Sequence, residues 1–165
     1  MVIIFPQTAG ALPNNGYYGE HPEECYLDIP GKPMYPFGYG LSYTNFSYSV
    51  ITPDKTELEL SALKAGERFC FSVTVSNTGD YDGKETVQLY IRDKVASVMR
   101  PMRELKSFEK VWIPAHSSRE VAFEIGYDAL GFYRENGEYT VEPGLFEVYI
   151  GGNCLTDNRV AVQIQ

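Results

Sequence analysis

Residues 68–76, Arg-Phe-Cys-Phe-Ser-Val-Thr-Val-Ser, alternate strictly between apolar and polar positions. Phe69, Phe71, Val73 and Val75 share one parity, the period a half-buried strand needs and a helix cannot use. Val87, Leu89 and Ile91 repeat the pattern beyond a turn at Gly79–Gly83, and Val121, Phe123 and Ile125 repeat it again. Phe146, Val148 and Ile150 predict another strand, and Val160, Val162 and Ile164 a last one. Val111-Trp112-Ile113 also reads as strand. Asn136-Gly137, between Phe132-Tyr133 and Tyr139–Val141, predicts a hairpin with a two-residue loop, because both positions tolerate positive φ. No apolar period of 3.6 residues persists beyond two turns.

Six to eight short strands separated by turn residues describe an all-β fold, an immunoglobulin-like (fibronectin type III-like) antiparallel sandwich. The pattern begins only near Phe46. Residues 1–44 are dense in Gly, Pro, Asn and Tyr, with Val2-Ile3-Ile4-Phe5 as a short strand halted by Pro6. The rest of that segment reads as an extended, loop-rich arm through Pro22, Pro30, Pro33 and Pro36. It holds too little contiguous apolar surface to fold alone, so it must lie on something else. The expected division is therefore an arm at 1–44 and a sandwich at 45–165.

Composition narrows the function by exclusion. The 165 residues carry 14 Lys+Arg against 22 Asp+Glu, a net charge of −8, which argues against a nucleic-acid partner. No apolar run approaches the ~18 residues of a membrane helix, so no membrane partner is expected. Met1–Pro6 is too short for a secretory signal and has no basic flank. The compartment stays open: periplasmic, secreted and cytoplasmic locations are all compatible. Cys25, Cys70 and Cys154 are an odd number at no ligand spacing. Cys70 also points away from the face that Phe69 and Phe71 bury, which argues against an inter-sheet disulfide.

Several candidate chemistries give way to simpler readings. Asp80 and Asp82 within Asn77–Gly83 suggest a calcium loop, but Lys84 falls where another oxygen ligand is wanted, and a polar turn explains the same residues. Glu20, Glu23, Glu24 and Asp28 supply carboxylates for glycoside chemistry, but an exposed acidic arm cannot hold two of them across a cleft. No nucleophile elbow and no phosphate-binding glycine loop occurs, and Gly38-Tyr39-Gly40 lacks a third glycine. No metal or cofactor is expected. Tyr17, Tyr18, Tyr26, Tyr35, Tyr39 and Tyr43 crowd the arm, either as sugar-stacking rings or as anchors against a neighbour. Anchoring is the favoured reading.

Residues 32–44, Lys-Pro-Met-Tyr-Pro-Phe-Gly-Tyr-Gly-Leu-Ser-Tyr-Thr, closely resemble the PLYPFGYGLSYT signature near the C-terminus of glycoside hydrolase family 3, the β-glucosidase and β-xylosidase group. Val75–Gly79 followed by Asp82–Ile91 resembles the family's V-NTG--DG-EVVQLY run. Arg100–Phe108 resembles its RP-KELKGF, and Val141–Gly144 with Ile150-Gly151 its closing PG-F-V-IG. Val2–Pro6 and Gly10–Pro13 are similar to the last edge of the family's second domain.

This resemblance implies the C-terminal portion of such an enzyme: the residual tail of an α/β domain, a linker, and a fibronectin type III-like domain. The family's Asp nucleophile sits in a Ser-Asp-Trp type motif that this sequence lacks, and its acid/base carboxylate lies in a domain also missing here. No catalytic residue is carried over, and the chain alone is expected to be inactive. Tyr35, Phe37, Tyr39, Leu41, Tyr43 and Phe46 are expected to tie the sandwich to the catalytic domains of the parent, its implied partners. Met1 is expected to be an artificial or misassigned start. Carbohydrate binding or cell-surface interaction by a stand-alone module is the alternative. An orphaned arm would also pair the chain with itself as a homodimer.

Overall fold

The computed structural model describes residues 35–98 and 100–165. The expected strand at Val2–Pro6, the acidic stretch, Cys25 and the rings at Tyr17, Tyr18 and Tyr26 lie outside the described residues. The chain divides between Tyr39 and Gly40 into two units.

In the first unit, Pro36-Phe37-Gly38-Tyr39 forms a tight turn. The Tyr39 N–H donates to the Pro36 carbonyl at 3.1 Å, and Gly38 has φ +81°. A type II turn requires that sign at its third residue. Gly38 thus supplies the backbone conformation that this turn requires. The turn sets the rings of Tyr35 and Tyr39 5.1 Å apart, tilted by 33°.

The second unit is nearly all strand. Its elements are β1 (Phe46–Tyr48), β2 (Thr52–Pro53), β3 (Glu57–Leu58), α1 (Leu60–Lys64), β4 (Phe69–Asn77), β5 (Gly83–Asp93), β6 (Glu104–Ile113), β7 (Ser118–Ile125), α2 (Tyr127–Leu130), β8 (Phe132–Tyr133), β9 (Tyr139–Thr140), β10 (Gly144–Gly151) and β11 (Arg159–Ile164). The six long strands coincide with the alternating segments and Val111–Ile113. The two- and three-residue strands have no period of their own, because they exist only through pairing with a longer neighbour. In one sheet β4 is flanked by β1 and β2 on one side and β7 on the other; the second sheet has the order β3-β11-β10-β5-β6. All pairings are antiparallel except β3 with β11.

Strand alternation builds the core. Phe69, Phe71, Val73 and Val75 of β4 and Val121, Phe123 and Ile125 of β7 face Val87, Leu89 and Ile91 of β5 and Phe146, Val148 and Ile150 of β10, all buried. Each such side chain contributes about 1.5–3 kcal/mol of hydrophobic stabilisation. Cys70 lies on the opposite parity, half-buried and free, as does Cys154 in its loop.

One local expectation is corrected. Arg134 N–H donates to Glu138 O at 2.9 Å and Gly137 N–H to Arg134 O at 2.9 Å, so the β8–β9 loop has three residues, not two. Only Gly137 takes positive φ, at +81°; a type I turn followed by a left-handed glycine needs nothing special of Asn136. The Gly79–Gly83 segment links two strands without forming a hairpin. β4 and β5 belong to different sheets, and the segment crosses between them.

Candidate functional site

The linker expected to dock the sandwich ends in a buried knot. Thr44 Oγ1 donates to Asn77 Oδ1 at 2.5 Å, and the same oxygen accepts from the Gly79 N–H at 3.1 Å. Asn77 Nδ2 donates to the carbonyls of Tyr81, at 2.8 Å, and Ile113, at 3.0 Å. The backbone adds Thr78 N–H to Asn45 O at 2.8 Å and Asn77 N–H to Ser117 O at 2.9 Å. One buried amide thus joins the entering chain, the β4–β5 crossover and the β6–β7 crossover. Gly83 leaves room for Thr44 and Phe46, since a Cβ there would lie 2.6 Å from Thr44 Cγ2 and 2.9 Å from Phe46 Cζ. The carboxylates weighed for calcium are engaged nearby: Asp82 accepts from Ala115 N–H and Asp80 pairs with His116.

Upstream of the knot, the large side chains are exposed. Leu41 is 87% and Tyr43 98% exposed, and Tyr35, Phe37 and Tyr39 are also exposed. Phe46 behaves differently, half-buried and packed on the core of the sandwich. A Cβ on Gly40 would touch nothing within 4 Å, so close chain approach does not account for that glycine.

At the far end of β5 the sandwich is closed by Arg100. Its guanidinium donates to Asp93 at 3.0 Å, to Leu130 O at 3.1 Å and to Glu104 at 3.2 Å, and lies over the Phe132 ring. Burial raises the pKa of Glu104, but Lys106 and Arg100 outweigh it and hold the carboxyl below its usual range. Glu142 is held low by the Ser97 hydroxyl and N–H and by Arg134. Such carboxylates are anchors, not proton donors.

Glu85 is the exception. Burial raises its pKa, and the hydrogen bond from Tyr48 at 2.6 Å only partly offsets this. A folded pKa above the unfolded one makes stability fall as pH rises from the ordinary carboxyl value through the folded value. Glu85→Gln keeps an acceptor for Tyr48 and removes the charge. The variant should be more stable than the parent chain at pH 7 by about 0.5 kcal/mol for so open a site. The gap should close below about pH 4. Urea midpoints at the two pH values check this; a gap that persists at low pH would refute it.

The outer face of the five-stranded sheet holds a group of residues that the sequence reading did not single out. Tyr90 of β5 and Tyr149 of β10 are paired neighbours. Tyr149 is capped by the Arg103 guanidinium, 3.9 Å from the ring centre, while Arg103 also donates to the carbonyls of Cys154 and Thr156. Glu147 accepts from the Tyr149 hydroxyl at 2.7 Å and draws in Arg159, Lys94 and Arg92 at 3.4–3.8 Å. Burial raises its pKa, but that hydroxyl and the three cations bring it below the usual range. On edge strand β6, Phe108 and Trp112 stand exposed on the same face with Lys110 between them. The parity of β6 is readable in the sequence and would have found these two rings.

Residues 85–154 match the fibronectin type III-like domain family. The chain is 38% identical over 160 residues to a periplasmic β-glucosidase of Salmonella typhimurium, covering 90% of the chain and 20% of that relative. It is 35% identical over 164 residues to a putative β-xylosidase of Formosa agariphila, covering 99% and 21%. Among solved structures, a β-glucosidase of Listeria innocua in complex with isofagomine superposes with a TM-score of 0.77 at 38% identity, over 97% of this chain and 21% of that one. The chain thus spans about a fifth of the length of the curated relatives it matches.

Proposed function

We propose that this chain, which carries a fibronectin type III-like domain and is homologous to the C-terminal part of family 3 β-glucosidases and β-xylosidases, is the non-catalytic packing domain of a β-glycosidase. Residues 1–44 are then the tail of a preceding α/β domain and a linker, and residues 45–165 the sandwich. The parent hydrolyses terminal β-linked glucose or xylose with two carboxylates supplied upstream.

The observation that supports this reading is a contrast between neighbours. Tyr43 is 98% exposed, while Thr44 beside it is buried against Asn77. The linker is fixed to the sandwich at one end and presents Leu41 and Tyr43 to whatever precedes it, with Tyr35, Phe37 and Tyr39 as further anchors. Phe46 serves from the sandwich side, by holding the base of the linker. Rings used in this way bury large area at small cost in side-chain entropy.

The chain alone should release no nitrophenol from 4-nitrophenyl β-glucoside or β-xyloside. Leu41→Ala and Tyr43→Ala should leave its melting temperature within about 1 °C, as expected of exposed positions. It should also migrate unretarded through gels containing β-glucan or xylan. Saturable retardation, lost in Tyr39→Ala without loss of fold, would replace the packing role by carbohydrate binding.

A further inference from the structure

The two outer faces of the sandwich differ in chemistry. The face of β4 and β7 presents Ser72, Thr74 and Ser76 with Glu120, Ala122 and Glu124, none of them buried. This is the small, polar and acidic composition of a solvated sheet. The face of the five-stranded sheet presents Phe108 and Trp112 together with arginines, while Tyr90 and Tyr149 on the same side are buried, Tyr149 beneath the Arg103 guanidinium. Tyr, Trp, Phe and Arg are the residue types enriched where proteins meet, while Ser, Ala and Glu are depleted there.

Charge separates the faces as well. In a chain of net charge −8, the second face collects Lys84, Arg92, Lys94, Arg103, Lys110 and Arg159. On the outward parity of its strands the carboxylates are Glu147 and Glu57, while Glu85, Asp93, Glu104 and Glu109 stand on the other parity. Three of these cations share the single carboxylate of Glu147 at 3.4–3.8 Å, longer than close charge-assisted hydrogen bonds, which run at about 2.7–2.9 Å. Asp157 also acts on Arg159, which still leaves positive charge in excess at that point. The remaining acceptors of further carboxylates would complete the arrangement.

We propose that the outer face of the five-stranded sheet, centred on Phe108, Lys110 and Trp112 of β6 and on the cations around Glu147, docks an acid-bearing protein surface on the rest of the parent enzyme. The inference rests on the packing role above and names the face and the chemistry of its partner. Phe108 and Trp112, four residues apart, stand about 13 Å apart along the strand. They supply the apolar centre, and the lysines and arginines form the rim. Complementary rim charge sets register and orientation more than raw affinity. The curated relatives are about five times as long as this chain, which supplies the surface to be met.

The test is a chimera of the Listeria innocua β-glucosidase in which this chain replaces the matching fifth. Phe108→Ser and Lys110→Glu are compared in the chimera and in the isolated chain. Both side chains are exposed, so the isolated chain should keep its melting temperature within about 1 °C for either variant. In the chimera each should shorten the half-life of β-glucosidase activity at a fixed elevated temperature at least fivefold. An active chimera whose half-life ignores both variants overturns this inference and leaves the packing role intact. An inactive chimera overturns the packing role and the inference together. Equal loss of melting temperature in chimera and isolated chain also overturns the inference, by assigning the residues to the sandwich itself.

Discussion

Arg100→Ala should lower the unfolding free energy of the sandwich by about 3–5 kcal/mol, because it strands a buried carboxylate. Asp93 is 2% exposed and Arg100 9%, and their contact is 3.0 Å. Removing the guanidinium leaves Asp93 charged in a site from which water is excluded. It also frees the Leu130 carbonyl at the end of α2 and uncouples Glu104 of β6. The loss corresponds to a fall of about 10–20 °C in melting temperature for a domain of this size. Arg100→Lys keeps the charge but not the planar fork, and should fall between the two. The double variant Asp93→Asn/Arg100→Met separates the causes. Asparagine still accepts from the Val95 N–H, a contact that Asp93 makes at 3.2 Å, and carries no charge to strand. The double variant should therefore recover at least half of the loss. A double variant as unstable as Arg100→Ala would place the cost in lost packing instead, and an Arg100→Ala chain that melts within about 3 °C of the parent would sink the argument.

The same residue illustrates what the sequence discloses and what it hides. The strands were legible because a buried face imposes period two, and Phe69–Val75, Val121–Ile125 and Phe146–Ile150 state it openly. The collinear motifs identified the relatives. Neither route says why Arg100, Asn77 or Thr44 stands where it does, because each has a partner 30 to 36 residues away that it meets only after both sheets have formed. The crossover at Gly79–Gly83 is hidden for the same reason: local turn chemistry does not tell which sheet the next strand joins. One part of the outer face, at Leu105, is hidden differently. A register shift between Leu89 and Tyr90 opposite β6 changes the parity of that strand along its length. Leu105 and Phe108 therefore share a face that strict alternation would deny them. Of the six residues expected to dock the parent, five are exposed and Phe46 packs on the core; a sequence segment reads as one motif even where its two ends differ in burial.

Asn77→Asp should be the most informative of three changes at the knot, because it replaces a single group and makes stability depend on pH. In the native chain Asn77 is buried and uses its amide fully: Oδ1 accepts twice and Nδ2 donates twice, to the carbonyls of Tyr81 and Ile113. An aspartate keeps the accepting oxygen but turns a second oxygen toward those two carbonyls. Burial and the facing carbonyl dipoles then raise its folded pKa well above the ordinary carboxyl value of about 3.9. The folded state therefore binds the proton more tightly than the unfolded state, and stability falls as pH rises between the two values. At pH 7 the loss should be about 3–5 kcal/mol, the cost of two unmet carbonyls and a buried charge. Near pH 4 the protonated acid donates to one of the carbonyls, and roughly half of the loss should return. Asn77→Leu, with no proton to bind, should be as unstable at pH 7 but with a deficit independent of pH. Thr44→Val removes one donor and should cost only about 1 kcal/mol. Urea unfolding of the three variants at pH 4 and pH 7 decides the matter: equal deficits for Asn77→Asp at both values would mean that water reaches the amide. The knot would then be a solvated turn, and the linker ending at Thr44 would enter the sandwich through a loose joint.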